Sequence, residues 1–223
     1  MASQSALRKR FYTWDDYRTW DDDQRWELVD GQACGMTPAP SVGHQAVVSE
    51  MYRQMANWFA GKRCRALVSP FDVKLSRADV VQPDIVVCEP SKIKPTHIEG
   101  APALVVEVMS PSTEAHDRLR KMDLYARSGV EEVWLVSPVS QLAEVFSLDG
   151  DTYRLKGTYI KGDVLKSATF RGLTVDLDQV FHFPCGGEDR PWVVREPGAS
   201  YGPQGKRGPG GGGVKDRKKT RQG

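Results

Sequence analysis

The stretch ALVVEVMSPST, residues 103–113, decides how the middle of this chain folds. Residues 103–109 are almost all aliphatic, which predicts a buried β-strand, and the Ser-Pro-Ser that follows ends it. Glu107 lies within this strand, where an ionised carboxylate is costly unless another group pairs with it. Because side chains alternate along a strand, Glu107 faces away from Val106 and Val108. The glutamate therefore needs a partner on its own face of the sheet.

The residues after this strand predict a strand–helix–strand unit. Thr113 can cap a helix that runs through TEAHDRLRKMDLYARSGV, with Gly129 just past its end. The segment EEVWLVSP, residues 131–138, is a second buried strand. Two consecutive strands joined through a helix favour a parallel pair with a right-handed crossover. We therefore predict an α/β fold with a mixed central β-sheet flanked by helices.

Further elements flank this unit. RWELVDGQACGM predicts two strands around the turn pair Asp30-Gly31, and a second hairpin is expected around Asp149-Gly150. Residues 43–61, GHQAVVSEMYRQMANWFAG, have one wide apolar face at helical spacing and predict a long helix. The aromatic-rich segment YTWDDYRTW, residues 12–20, is interpreted as a short packing helix rather than a base-stacking platform.

Composition divides the chain into a folded body and two ends. Its 223 residues, 39% hydrophobic and 27% charged, suffice for one well-packed domain. We predict a flexible N-terminus over residues 1–10, a folded domain over 11–185, and a Gly-rich, basic, disordered tail over 186–223. Residues 201–223 hold seven Lys or Arg against one acid, whereas residues 1–200 hold 24 basic and 28 acidic residues. Such a tail can bind phosphates without sequence preference.

The lack of recognisable targeting signals and the spacing of the cysteines predict a cytoplasmic protein. No apolar run approaches the roughly 20 residues of a membrane span, and the N-terminus has no apolar core typical of a secretory signal. The four cysteines lie far apart without a C-x-x-C pair, which argues against a zinc site and against a disulfide framework.

Two carboxylates make a metal site possible. Asp84 follows Pro83 at the head of the strand-like segment DIVV, and Glu107 comes 23 residues later in the next strand. If these strands pair, both carboxylates can point into one space, where a divalent cation relieves their repulsion. Hard oxygen ligands of this kind suit Mg²⁺ or Mn²⁺, and such a cation can support phosphodiester hydrolysis. Lys121, on the helix after Glu107, is a candidate positive group, with Tyr125 one turn further along the same face.

The same residues resemble a known family. QPDIVV, then ALVVEVMSPST, then DRLRKMDLYARSGVEEVWLVSP is similar to the Uma-type restriction endonucleases, a branch of the PD-(D/E)XK nuclease superfamily. Upstream, WELVDGQ and GHQAVVSEMYRQM match as well, and downstream LAEVFSLDGDTYRL and FRGLTVDLDQVF. The resemblance covers roughly residues 11–183 in order. It implies a restriction-endonuclease-like fold and assigns the folded domain, residues 11–185, as a PD-(D/E)XK nuclease-like domain.

The resemblance also implies a set of site residues. Asp84 becomes the motif aspartate and Glu107 the second acidic metal ligand, with the Val108 carbonyl as a third. The superfamily usually places a lysine two residues after the glutamate, where this chain has Met109, so the resemblance assigns that role to Lys121. Two further family positions are matched by Glu27, which would complete the metal shell or hold a water, and by His44, which has no role that the sequence supplies.

Each of these residues has a plainer explanation. Glu107 can form a buried ion pair, with Lys121 itself as its partner, although buried charges tend to mark sites. Asp84 alone is typical turn chemistry beside a proline. Lys121 alone is typical of a solvated helix face. Glu27 can simply flank the Asp30-Gly31 turn, and His44 can flank a helix start.

The first functional hypothesis is a Mg²⁺- or Mn²⁺-dependent DNA endonuclease. In it Asp84, Glu107 and Val108 hold the metal, Glu27 assists, and Lys121 positions the attacking water or stabilises the phosphate in the transition state. Cleavage of both strands requires two active sites, which makes a homodimer a plausible form of the enzyme. The alternative is a nuclease-fold module that is catalytically weak or inactive and binds nucleic acid or protein. Hydrolysis of a phosphodiester other than DNA is a third possibility.

Overall fold

A computed structural model of the chain describes residues 11–21, 24–36, 40–109 and 115–182. Within these residues there are four α-helices, thirteen β-strands and a 3₁₀ turn at Pro90–Lys92. In chain order the helices and strands are α1 (Trp14–Tyr17), β1 (Trp26–Val29), β2 (Gln32–Gly35), α2 (Val42–Phe59), β3 (Arg65–Val68), β4 (Asp72–Lys74), β5 (Val80–Val81), β6 (Ile85–Cys88), β7 (His97–Glu99), β8 (Leu104–Val108), α3 (Ala115–Ser128), β9 (Glu132–Ser137), β10 (Leu142–Asp149), β11 (Thr152–Ile160), β12 (Val164–Lys166), β13 (Thr174–Asp176) and α4 (Leu177–Val180).

The central sheet has six strands in the order β11-β10-β9-β8-β6-β3. Strands β8 and β9 are parallel, and the other neighbouring pairs are antiparallel. Helix α3 joins β8 to β9, as a parallel pair requires. The predicted mixed sheet and the predicted strand–helix–strand unit are therefore confirmed. The proposed cap Thr113, however, lies outside the described residues.

Each face of the central sheet is covered by a different helix. Leu104, Val106 and Val108 of β8 belong to a core cluster with the apolar face of α2. Val105, between them in sequence, belongs to a second cluster with Tyr125 of α3 and its neighbours. The alternation predicted for β8 is thus confirmed, and it turns Glu107 toward the α3 side of the sheet.

A second sheet has the order β2-β1-β5-β4-β7. Its hairpin β1–β2 turns at Asp30 and Gly31, whose φ angles of 53° and 71° match the paired positive values of a tight hairpin turn. The sequence predicted the hairpin but not the sheet around it. The apolar residues around Pro83 divide between the two sheets, because β5 pairs with β1 and β4 whereas β6 pairs with β3 and β8.

The remaining elements are a long hairpin and a small two-stranded sheet. Strands β10 and β11 form the predicted hairpin around Asp149-Gly150, with an irregularity between Val145 and Phe146. Strands β12 and β13 pair with each other beside α4. In the part of the chain that the structure describes, no helix is long and apolar enough to cross a membrane. The predicted flexible N-terminus over 1–10 and the basic tail over 186–223 lie outside the described residues.

Candidate active site

Asp84 lies at the point where β6 and β8 begin to pair. The antiparallel register sets Ile85 opposite Val106, so Asp84 comes next to Glu107 at the end of this ladder. Oδ2 of Asp84 accepts a hydrogen bond of 2.8 Å from the backbone nitrogen of Val108. This bond ties the aspartate to the strand that carries Glu107. The adjacent placement of the two carboxylates follows the pairing expected from the sequence.

Glu107 has two partners on α3. Its Oε1 accepts a hydrogen bond of 2.5 Å from the Tyr125 hydroxyl and lies 3.4 Å from Lys121 Nζ. Lys121 and Tyr125 are one helical turn apart, so both reach the same carboxylate oxygen. The Glu107 side chain is 16% exposed, and the charge in the apolar strand is therefore paired yet open to a ligand at one edge.

Lys121 also contacts Glu27 from the second sheet. Lys121 Nζ lies 2.9 Å from Glu27 Oε1, and the two side chains are 14% and 7% exposed. The same Glu27 oxygen accepts a hydrogen bond of 2.9 Å from the backbone nitrogen of Gln82. Glu27 is therefore not a surface residue beside the Asp30-Gly31 turn. It points inward and joins Lys121 to the segment that leads into Asp84.

His44 is the neighbour that sequence reasoning left without a role. Its backbone nitrogen bonds to Ser41 at the start of α2, as expected for a residue that flanks a helix start. Its side chain is also buried, and Nε2 lies 3.4 Å from Asp84 Oδ2. One sequence signal was present, because His44 precedes Val47 and Val48 by three and four positions and so lies on the apolar face of α2.

The electrostatics of the cluster favour a bound cation. Burial raises the pKa of Glu107 to about 7; Lys121 opposes this shift, Asp84 and Glu27 add to it, and the Tyr125 hydrogen bond opposes it. Burial lowers the pKa of His44, but hydrogen bonding and charge from Asp84 outweigh it, with support from the Val108 backbone and Glu107, and leave the pKa raised. Three carboxyl groups thus face two basic groups, Lys121 and His44, and a further positive charge beside Glu107 would favour its ionised form.

Comparison with known proteins identifies the family of the chain. A family model described as "Uma2: Putative restriction endonuclease" matches residues 14–178. The chain belongs to the Uma2 family. The matched segment contains Glu27, His44, Asp84, Glu107 and Lys121.

One relative and one solved structure are similar to this chain. "Uncharacterized protein slr1290" of Synechocystis sp. is 30% identical over 158 residues, which cover 70% of this chain and 82% of the relative. The crystal structure of a "putative nuclease belonging to DUF820" from Anabaena variabilis superposes with a TM-score of 0.61 at 19% identity, covering 76% of this chain and 97% of that one. The match to the Anabaena structure concerns the fold alone. The fold of this chain is α/β and restriction-endonuclease-like.

The donor set of the candidate site fits a hard divalent cation. Asp84 and Glu107 offer carboxylate oxygens from adjacent strands, and the Val108 backbone follows directly. Among the described residues, no three His, Cys, Asp or Glu side chains form a metal-binding group. Mg²⁺ does not require one, since it is commonly held by one or two carboxylates and keeps several waters. A cation here would also favour the ionised form of Glu107, whose pKa is raised mainly by burial.

A second acid in the central sheet, Glu132, provides an example of a carboxylate with a structural role. Glu132 in β9 is fully buried and is held by four neutral donors. These donors are Trp134 Nε1 at 2.6 Å, Ser167 Oγ at 2.8 Å, Ala168 N at 3.0 Å and Thr169 N at 2.7 Å. Glu132 lies opposite Leu104, three positions from the Glu107 pair, and anchors the loop after β12. Glu107 instead lies among other charged groups and is partly open to solvent.

Proposed function

We propose that the chain is a metal-dependent endonuclease that hydrolyses DNA phosphodiester bonds. The observation that carries the proposal is the adjacent placement of Asp84 and Glu107 on paired strands, with Lys121 Nζ 3.4 Å from Glu107. Membership of a family of restriction-endonuclease type supports the same class of reaction. The pKa of Glu107, which burial raises to about 7, supports a role for a cation at this position.

Each residue of the site has its own role in the proposed reaction. Asp84, Glu107 and the Val108 carbonyl would hold Mg²⁺ or Mn²⁺, which when bound polarises a phosphodiester and favours ionisation of water. Tyr125 fixes the orientation of the Glu107 carboxylate through its hydroxyl. Lys121 would face the phosphate and stabilise the negative charge that develops on its oxygens as water attacks in line.

Glu27 and His44 act as positioning residues in this proposal. Glu27 holds the Lys121 ammonium at 2.9 Å, which limits the directions in which the lysine can donate. His44 Nε2 lies 3.4 Å from Asp84 Oδ2 and limits the directions in which that carboxylate can turn. Both residues come from elements outside the strand–helix–strand unit, so they tie the site to the rest of the domain.

A plasmid-nicking assay tests the proposed activity. Wild-type protein should convert supercoiled DNA to nicked circles with Mg²⁺ or Mn²⁺ and not with EDTA. Asp84→Ala should lose about 100-fold or more of this activity, because a divalent cation supplies several kcal/mol to such reactions. Asp149→Ala is the matched control, since Asp149 ends the peripheral strand β10 and pairs with Arg154 there. Equal nicking by wild type and Asp84→Ala would rule the proposal out.

One observation favours a second function, a nuclease-fold module that binds without cleaving. Lys121 is already paired with Glu27 and Glu107, an arrangement that a buried structural ion pair would also adopt. Calorimetry with millimolar Mn²⁺ separates the two functions. An absence of Mn²⁺ binding, together with DNA binding that is lost on deletion of residues 201–223, would favour the module. A sizing measurement with bound DNA would also test the proposed homodimer.

A further inference from the structure

An aromatic pocket is linked to the candidate active site through Gln82. It has a volume of about 560 Å³ and is lined by α1 and the residues that follow it, by the start of β1, by Asp72 and Gln82, and by Thr96 and His97. Four of its lining residues are half-buried aromatics, namely Trp14, Tyr17, Trp20 and Trp26. Tyr12, by contrast, is 5% exposed and packs in the core with Leu28 and Val80. Part of the aromatic segment is therefore packing, as the sequence suggested, and part lines a cavity.

The aromatic rings are half-buried and pack on one another, and Trp14 also contacts the His97 ring at 4.7 Å between centroids. The rings of Trp14 and Tyr17 stack with centroids 5.8 Å apart and an interplanar angle of 22°. Trp20 and Trp26 meet edge to face at 5.8 Å and 77°. A planar ligand can extend such an arrangement by offset or edge-to-face packing, which favours aromatic rings over aliphatic groups.

The opposite side of the pocket is polar and held in place by hydrogen bonds. Asp72 Oδ1 lies 2.7 Å from the Tyr17 hydroxyl and accepts a bond of 3.0 Å from Gln82 Nε2. Gln82 Oε1 accepts bonds of 2.9 and 2.6 Å from Arg25. Arg18 also lines the pocket and is exposed. The pocket thus offers a carboxylate acceptor, an amide and two guanidinium groups beside the aromatic walls.

Gln82 connects this pocket to the carboxylates. Its side chain contacts Asp72, Tyr17 and Arg25, whereas its backbone nitrogen bonds to the Glu27 oxygen that also holds Lys121. Gln82 precedes Asp84 by two residues, a distance of about 7 Å in an extended chain. Trp26 lines the pocket whereas Glu27, the next residue of β1, contacts Lys121, so the pocket and the carboxylates lie on opposite faces of the second sheet. Both open at the end of the sheet that carries Gln82, and a nucleotide next to the cleaved phosphate would reach the pocket around this end.

We infer that this pocket binds an unpaired nucleobase next to the cleaved phosphodiester, which makes single-stranded or locally opened DNA the preferred substrate. The inference rests on the proposed function. Every base has a π-face that can pack on the aromatic walls, and stacking of this kind is tolerant of sequence. Base amino and ring N–H groups suit Asp72, and Arg18 and Arg25 suit the adjoining phosphates. A paired base cannot enter, because its faces are covered and its edge is engaged within the duplex.

The test uses the full chain in EDTA, so that binding is measured without cleavage. Probes are a single-stranded oligonucleotide, its fully paired duplex, and a single strand with an abasic site at each position in turn. One base is replaced by 2-aminopurine, whose fluorescence falls on stacking. We expect the single strand to bind more tightly than the duplex, with quenching and with a loss of affinity at one or two abasic positions.

Two pairs of variants locate the effect. Trp14→Leu should weaken binding of the single strand at least about fivefold and abolish the quenching, whereas Trp14→Phe should keep both, because one aromatic face is retained. Arg25→Ala should weaken binding more than Arg154→Ala, which removes an exposed arginine from the peripheral hairpin. If Trp14→Leu fails to fold, as judged by thermal unfolding, the test relies on the abasic series and on the comparison of Arg25→Ala with Arg154→Ala.

The outcomes separate this inference from the proposed activity. The inference would be overturned if single strand and duplex bind equally. It would also be overturned if the two arginine variants have equal effects and no abasic position matters. Either result would count even if plasmid nicking is observed. Stacking without any cleavage would support the pocket and count against the endonuclease. Tight binding of a proline-rich peptide that competes with no oligonucleotide, and is lost in Trp14→Leu, would show that the pocket serves a protein partner and would likewise overturn the inference.

Discussion

Lys121 Nζ lies 3.4 Å from Glu107 Oε1, and it reaches that oxygen from the helix that follows the glutamate's strand. The superfamily position for a lysine, two residues after the glutamate, is occupied here by Met109. A lysine one helix later arrives at the same carboxylate because α3 covers the face of the sheet to which Glu107 points. Lys121 thus contacts the glutamate from the helix, whereas position 109 of the strand carries a methionine.

The first prediction concerns the pH dependence of stability in the metal-free protein. The pKa of Glu107 is raised to about 7 from an ordinary value of 4.5, so between these values the folded chain keeps a proton that the unfolded chain releases. The free energy of unfolding should therefore fall as pH rises from 4.5 to 7. Relative to Glu107→Gln, the loss should be about 2–4 kcal/mol. Urea unfolding at several pH values in EDTA measures it, and parallel curves for the two proteins would contradict it.

The second prediction concerns the Lys121 ion pairs. Lys121→Met should lower the free energy of unfolding at pH 8 by about 3–5 kcal/mol, because it leaves two buried carboxylates without their cation. Adding Glu27→Gln should restore part of the loss, since one of the two charges is then removed. Chemical denaturation measures both effects, and Lys156→Met on the exposed face of β11 is the control. A destabilisation no larger than that of the control would mean that the pairs contribute nothing.

The third prediction concerns His44. Its pKa is raised in the folded protein, mainly through Asp84 acting against the effect of burial, so its contribution to stability is fully present below pH 6.5 and is lost as pH rises through the folded pKa. His44→Gln should therefore destabilise the protein more at pH 5.5 than at pH 9. Urea denaturation at the two pH values gives the comparison, with the exposed His182→Gln as the matched variant. An equal loss at both pH values would show that His44 is held neutral.

The fourth prediction separates stability from activity. Glu132→Gln presents an amide to four donors that now bond to a carboxylate, so we expect a loss of roughly 3 kcal/mol in the free energy of unfolding. Nicking activity per folded molecule should be unchanged, because none of these donors contacts Asp84, Glu107 or Lys121. Denaturation and the plasmid assay, run well below the melting temperature, test the two halves. A large loss of activity in folded Glu132→Gln would show coupling between the two carboxylates.

Local patterns were sufficient to predict most elements of the central sheet. The aliphatic run of β8, the apolar face of α2 and the turn pairs Asp30-Gly31 and Asp149-Gly150 each depend on neighbours within a few positions. The pairing of Asp84 with Glu107 followed from two strands that are close in sequence. The second sheet was not predicted, because its strands are short and because β1 pairs with β5, and β4 with β7, across long separations that no periodicity reports.

The sequence by itself determined that an acid lies in a buried strand, that a second acid heads the neighbouring strand, and that a helix with Lys121 follows. Alternation along a strand and the period of a helix settle these points locally. Only the tertiary structure decided that Glu27 holds Lys121, that His44 lies beside Asp84, and that aromatics of α1 line a pocket next to Gln82. Those contacts join distant elements, and they exist because the two sheets and α2 pack together, which depends on the arrangement of the whole chain rather than on any one segment.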